Sequence, residues 1–232
     1  FFNANYYAMM IEFIIMMIGY KIFGTKELKK QVYYFITACI NFFLLYMTGC
    51  RTAFIATAVA MLVFLIINKN YWICCLIGMA CIVIGIFFII HPEQFPRIEK
   101  LVDNFTVRTK IWHAAIEGIK AHPLFGQGPM TYMMIFKQYA GHNTQHAHSI
   151  YLDPILSFGV IGVTTLIPYI LDNCKRLFKV YKQKINLRYV ALVISCIVVI
   201  LLHGTLDYTI FWVHTGMLFL MIASSFEMFK HN

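Results

Sequence analysis

The 232-residue chain is 60% hydrophobic and 12% charged, with a mean hydropathy of +0.71. Soluble domains are about 45–50% apolar and about 25% charged. The chain therefore lacks the polar side chains to cover a water-facing surface, which excludes a soluble globular enzyme, a disordered tail and a nucleic-acid-binding domain. For a formal charge of +9, from 19 Lys and Arg against 10 Asp and Glu, the question becomes which side of a bilayer holds the cations.

Apolar runs cover residues 6–23, 32–48, 52–67, 71–90, 150–171, 189–203 and 208–228. Several approach the ~20 residues that cross hydrocarbon as a helix. Backbone amides cannot stay unpaired there, and no run alternates with the period of a strand, so helices rather than a β-barrel are expected. The expected fold is all-α, a polytopic transmembrane bundle of about seven helices with a partly helical external loop. Three segments follow: helices one to four over 1–90, a large external loop over 91–149, and helices five to seven over 150–232. The chain opens on Phe1 without a signal-peptide pattern, so it reads as a late segment of a longer membrane protein.

Cations fall in alternate connections. One carries Lys21, Lys26, Lys29 and Lys30, the next Lys69, the next Lys175, Arg176, Lys179, Lys182, Lys184 and Arg188, and the C-terminus Lys230. The positive-inside rule puts these in the cytoplasm and the 91–149 loop outside. Four acids, Glu93, Glu99, Asp103 and Glu117, partly balance that loop's cations, and it holds six of the nine histidines. Loops this long are often functional. Pro92, Pro96, Pro123, Gly126, Gly128, Pro129 and Gly141 punctuate it, which predicts a folded loop with turns.

Within the loop, Ile111, Ala115, Ile119 and the neighbouring Trp112 recur at helical spacing and predict an amphipathic helix over 106–121. Asn104 or Thr106 would cap its start, and His122-Pro123 would end it. Trp112 is of the type found at bilayer interfaces, so the helix is expected on the outer membrane surface. Five of the seven cysteines, Cys39, Cys74, Cys75, Cys81 and Cys196, sit in or beside apolar runs as small hydrophobes. No C-x-x-C occurs, so neither a zinc ribbon nor a disulfide framework is indicated.

Four groups of residues could carry chemistry. Arg51 stands between two apolar runs, either as an interfacial anchor or as an anion clamp facing outwards; at midplane it would cost about 2.5–3.5 kcal/mol. Arg108 and Lys110 fall at the start of the expected loop helix, where free N–H groups and a guanidinium fork favour phosphate. His142, His146 and His148 cluster before the fifth run. Histidine accepts a proton near neutral pH, and His142 and His146 would share a face if that stretch were helical. A metal needs a further ligand, for which only Asp153 is near in sequence, so none is expected. Glu12, Asp172, His203 and Asp207 lie in or near apolar runs. His203 and Asp207, four apart, would pair on a helix face, whereas Glu12 has no evident partner.

Together, Arg108-x-x-x-Trp112, the stretch His122-Pro123-Leu124-Phe125-Gly126-Gln127-Gly128, and His146-Ala147-His148-Ser149-Ile150-Tyr151-Leu152 resemble the O-antigen ligase and Wzy-type polymerase superfamily. Its members are bacterial multi-pass membrane glycosyltransferases. His148 followed after ten residues by Gly159, and then Gly162, is similar to the ligases' His-x10-Gly pattern. Gly49-Cys50-Arg51-Thr52-Ala53 resembles the family's Ser-Arg-Gly/Thr-Ala element, with Cys50 for Ser. Asn3-Ala4-Asn5-Tyr6 resembles its Pro-Asn element without the Pro. Trp112 departs from the ligases' Arg-x3-Leu and leans towards polymerase.

The resemblance implies transfer of a glycan from a polyprenyl pyrophosphate, undecaprenyl pyrophosphate in bacteria, to a hydroxyl at the outer face of the cytoplasmic membrane, without metal or cofactor. Arg51 and Arg108 would bind the pyrophosphate, and His148 would act as general base or position the acceptor. Lys110, His146, Trp112 and His142 are the further substrate-binding candidates. The implied partners are the lipid-linked glycan, membrane lipid and other polysaccharide-assembly proteins, with no nucleic acid. The leading expectation is a capsule or exopolysaccharide repeat-unit polymerase. The near alternative is a ligase using another acceptor. A lipid-linked-sugar transporter or flippase would want a charged central path and repeat symmetry, neither of which is visible. A non-catalytic scaffold is the remaining alternative.

Overall fold

In the computed structural model of the protein, residues 3–96 and 101–225 are described, without the side chains of 101–104. Glu99, Lys230, the end of the 208–228 run and the side chains of Asp103 and Asn104 lie outside the described residues. Among the described residues every regular element is helical. The α-helices are α1 (Ala4–Ile22), α2 (Leu28–Thr48), α3 (Arg51–Ile67), α4 (Tyr71–Ile90), α5 (Leu101–Ala121), α6 (Thr131–Ile135), α7 (Leu152–Thr164), α8 (Ile167–Gln183), α9 (Leu187–His203) and α10 (Val213–Ser224). Two short 3₁₀ turns, Pro92–Gln94 and Thr209–Phe211, join them.

The apolar runs become helices, but fewer reach membrane length than the sequence predicts. Among the described residues, only α2 and α4 are long and apolar enough to cross, and α7 with α8 makes a third if that pair is one span. The physical reasons are local. Helix α1 is diluted by Asn5, Glu12 and Lys21. Helices α3, α9 and α10 have 17, 17 and 12 residues. The 150–171 run breaks, and α7 and α8 meet at 72°. Segment 172–188, expected as a connection, is mostly helix α8. Its apolar Ile167, Ile170, Leu171, Phe178 and Tyr181 share one face, flanked on one side by Lys175, Lys179 and Lys182.

The chain divides into two compact units. The first comprises 1–98, 179–203 and 209–232, and the second 99–178 and 204–208. In the first unit, α1 packs on α2, α3, α9 and α10, and α3 packs most extensively on α9. Helix α3 buries Ala53, Ala56, Thr57 and Ala60, one face of small residues that lets a neighbouring backbone approach closely. Helix α4 buries no side chain, as a lipid-facing helix should. Tyr189 on α9 donates its hydroxyl to the carbonyls of Ile222 and Ala223 on α10. Arg188 donates to the Phe23 carbonyl at 2.7 Å and so caps the C-terminal end of α1.

The expected His203–Asp207 pair does not form. His203 is instead the partner that Glu12 lacked in the sequence. Its Nδ1 lies 2.5 Å from Glu12 Oε2, and both residues are almost completely buried. The other ring nitrogen, Nε2, lies 3.7 Å from Cys50 Sγ. Three distant segments thus meet on one imidazole: α1, α9 and the turn where Gly49 ends α2 in the left-handed conformation (φ +65°).

Removing one member of a buried charged pair strands the other and costs about 3–5 kcal/mol, whereas an apolar pair of similar volume costs far less. Glu12→Ala and His203→Ala are each expected to lower the melting temperature in detergent markedly, with Glu12→Leu/His203→Leu less harmful than either. Thermal unfolding of the four proteins checks this, and an unchanged melting temperature for either single variant would count against the pair.

Candidate active site

The second unit is built on the loop helix. Helix α5 starts at Leu101, earlier than the 106–121 expected. Asn104 and Thr106 are therefore inside the helix rather than caps, and the Thr109 hydroxyl bonds the Thr106 carbonyl. Arg108 and Lys110 consequently lie about two turns in, beyond the reach of the N-terminal N–H groups. Arg108 is half-buried and Lys110 exposed. Neither has a side-chain partner among the described residues. The predicted apolar stripe faces the unit's own core. Ile111, Ala114 and Ala115 pack with Tyr132, Ile135, Ala147 and Leu156, and Trp112 and Ile119 cover their edge.

The glycines of the loop motif have a backbone reason. After α5, residues 123–128 lie against the middle of α7. Gln127 and Gly128 donate N–H groups to the carbonyls of Leu156 and Ser157. Val160 and Ile161 donate theirs to Pro123 and Leu124. Gly159 breaks α7 with φ +67° and ψ 179°. A Cβ there would sit 2.2 Å from the Leu124 carbonyl oxygen, and one at Gly126 (φ +65°) would sit 2.5 Å from Ser157. The glycine after the His-x10 spacing is thus where two backbones touch.

The stretch 141–151 is not helical, so His142 and His146 share no helix face. His142 is exposed, and its carbonyl accepts the Tyr132 hydroxyl at 3.0 Å. His146 and His148 come together, ring centroids 4.7 Å apart, with Tyr208 5.1 Å from His146. His148 has φ +46°, which bulky residues rarely adopt. Ser149 is buried, and its hydroxyl accepts the N–H groups of Tyr151 and Leu152 at the start of α7.

The carboxylate within hydrogen-bonding reach of the histidines is Asp207, whereas Asp153 accepts from the Ala147 N–H. His148 Nδ1 lies 3.3 Å from Asp207 Oδ1, which also accepts the Tyr208 N–H at 2.7 Å. A carboxylate only accepts, so in the neutral ring Nδ1 carries the proton and Nε2 the lone pair. The Thr144 hydroxyl lies 3.2 Å from Nε2 and donates to it. Burial, with His148 beside it, pushes His146 down to about 4, so it is neutral at pH 7.

His146, His148 and Asp207 also place three donor atoms within 4.8 Å of one another, a group able to hold a metal ion. Asp207 and Thr144 stand at the two His148 nitrogens. Arg51 lies in the first unit as the first residue of α3, half-buried, with its guanidinium 5.3 Å from the Phe95 ring centroid. Sequence reasoning flagged Asp207 with the wrong partner and missed Thr144. No spacing signal links Asp207 to a histidine 59 residues away.

A sequence profile described as O-antigen ligase matches residues 36–167, more than half of the chain and most of this site. The chain belongs to the O-antigen ligase family. Members of this family are glycosyltransferase-like enzymes that handle lipid-linked glycans. With helices α2 and α4, membership makes the chain an integral membrane protein. No curated protein matches it.

Gly126→Ala and Gly159→Ala are each expected to destabilise the second unit by about 1–3 kcal/mol. Gly128→Ala, whose Cβ would meet nothing, should cost less. Protease sensitivity of the 122–149 segment ranks the three. His146 adds a pH dependence. Its folded value of about 4 lies below the ordinary 6.5, so the unfolded chain takes up the proton first. Stability is full above pH ~6.5 and falls towards pH 4. Melting curves at pH 7 and 5 should converge in His146→Gln relative to the unsubstituted protein.

Proposed function

We propose that the protein is a polysaccharide repeat-unit polymerase. It transfers a glycan from a polyprenyl pyrophosphate to a hydroxyl of the next lipid-linked repeat, at the outer face of the bacterial cytoplasmic membrane. The observation that carries this reading is the Asp207–His148 pair, in which a buried carboxylate fixes the tautomer and leaves Nε2 as the base. His148 takes the acceptor proton as the acceptor oxygen attacks the anomeric carbon. The bond from that carbon to the pyrophosphate oxygen breaks, and its electron pair departs with the carrier. Arg108 meets the charge that develops on the leaving pyrophosphate, and Arg51 is the second pyrophosphate-binding cation that the family resemblance implies.

Lys110, His142, His146 and Trp112 contact the substrates in this reading, and the reaction needs no metal. Trp112, where the resemblance expects Leu, leans the reading towards a polymerase. The cation pattern of the connections supports an external 91–149 loop between two membrane-embedded segments, 1–90 and 150–232. A ligase that hands the glycan to a different acceptor is the second reading, supported by the description of the matched family.

The test is glycan ladder analysis in the source strain lacking the full-length gene, complemented at matched membrane levels. The unsubstituted protein should restore long polymer. His148→Ala and Asp207→Asn should leave mostly single repeats, with transfer down about 10²–10⁴-fold. Arg108→Ala should fall about 10²–10³-fold. Polymer that forms on its carrier in every strain but is attached only with the unsubstituted protein identifies a ligase. Normal ladders in all the variants would move a transporter or scaffold to the front.

A further inference from the structure

The group that meets His148 Nε2 is the hydroxyl of Thr144, 3.2 Å away. The opposite nitrogen is held by a carboxylate that is itself 1% exposed and anchored by the Tyr208 N–H. His148 is 20% exposed, so a substrate can reach the ring. An acceptor alcohol needs this lone pair, at this distance, before its proton can move. The Thr144 hydroxyl is chemically an alcohol as well, sitting where that alcohol has to arrive.

We propose that Thr144 marks the acceptor subsite, its hydroxyl holding Nε2 of His148 until the acceptor hydroxyl replaces it. This rests on the reading of His148 as the base. Thr144 is thus a positioning residue that keeps the ring aimed and the lone pair satisfied. It rotates away without giving up its own proton, so the transfer step is unchanged. The exchange trades one hydroxyl for another, and acceptor binding at this point gains no net hydrogen bond. Removing the Thr144 hydroxyl while keeping its shape should therefore make acceptor binding easier rather than harder.

The experiment uses the full-length protein in liposomes with Thr144→Val, Thr144→Ser and, should valine not fold, Thr144→Ala. The first readout needs no turnover: acylation of His148 by diethyl pyrocarbonate, followed by peptide mass spectrometry. Thr144→Val should react about two- to tenfold faster, the worth of one net hydrogen bond, and Thr144→Ser at the unsubstituted rate. The second readout is transfer from the lipid-linked repeat to a single repeat on an alkyl aglycone, which accepts but cannot donate. Thr144→Val should lower the acceptor KM about two- to tenfold. Unchanged acylation, or an acceptor KM that stays or rises, overturns the proposal. So does a tenfold fall in kcat, which would make Thr144 a proton carrier. Transfer that survives His148→Ala in the same assay would instead sink the reading of His148 as the base.

Discussion

A polar side chain taken out of water has to find a partner, and in a chain this apolar the cost of failing is large. Each of the two units contains a buried carboxylate that has found an imidazole. In the first, Glu12 reaches across from α1 to His203 at the end of α9, and the second ring nitrogen faces the Cys50 thiol. In the second, Asp207 holds His148. His203 and Asp207 are four residues apart, close enough to satisfy each other on a helix face. They do not, because α9 ends at His203 and the chain turns there, so each answers a different carboxylate or imidazole.

What was legible in the sequence is what depends on neighbours along the chain. The starts and ends of α2, α3 and α4 follow apolar runs within a few residues. The stripe through Ile111, Ala115 and Ile119 finds its core. The count of spans was not legible, because it turns on tertiary facts. A run that is apolar enough over 150–171 is kinked at Gly159, whose backbone geometry serves Leu124, 35 positions away, and bends by 72° between Thr164 and Ile167. The Glu12–His203 pair spans 191 positions, and no local period encodes it.

The site divides along the same line. His146 and His148 could be found because they are adjacent and carry a recognisable motif, and the motif's glycines could be noticed before their purpose was known. That purpose is steric: Gly126 and Gly159 let two backbones hydrogen-bond side by side. The start of α5 was misplaced because Asn104 and Thr106 are good caps in isolation. With the helix continued back to Leu101, the hydroxyl and amide preference for an N-cap is overridden. Arg108 then acts, if it binds phosphate, through its own guanidinium and not through the helix end.

The two imidazole–carboxylate pairs share a geometry but not a capacity. His203 is 1% exposed, Glu12 is 0% exposed, and the far nitrogen of His203 faces a thiol inside the helical packing. No incoming group can compete there, so that pair can only hold segments together. His148 is 20% exposed, and its far nitrogen is held by a hydroxyl on a single rotatable bond, in a stretch without helical hydrogen bonds to restrain it. A base must bind its partner strongly enough to be aimed and weakly enough to let go. Of the two, only the His148 pair, with Asp207 fixed behind it and Thr144 in front, meets both conditions.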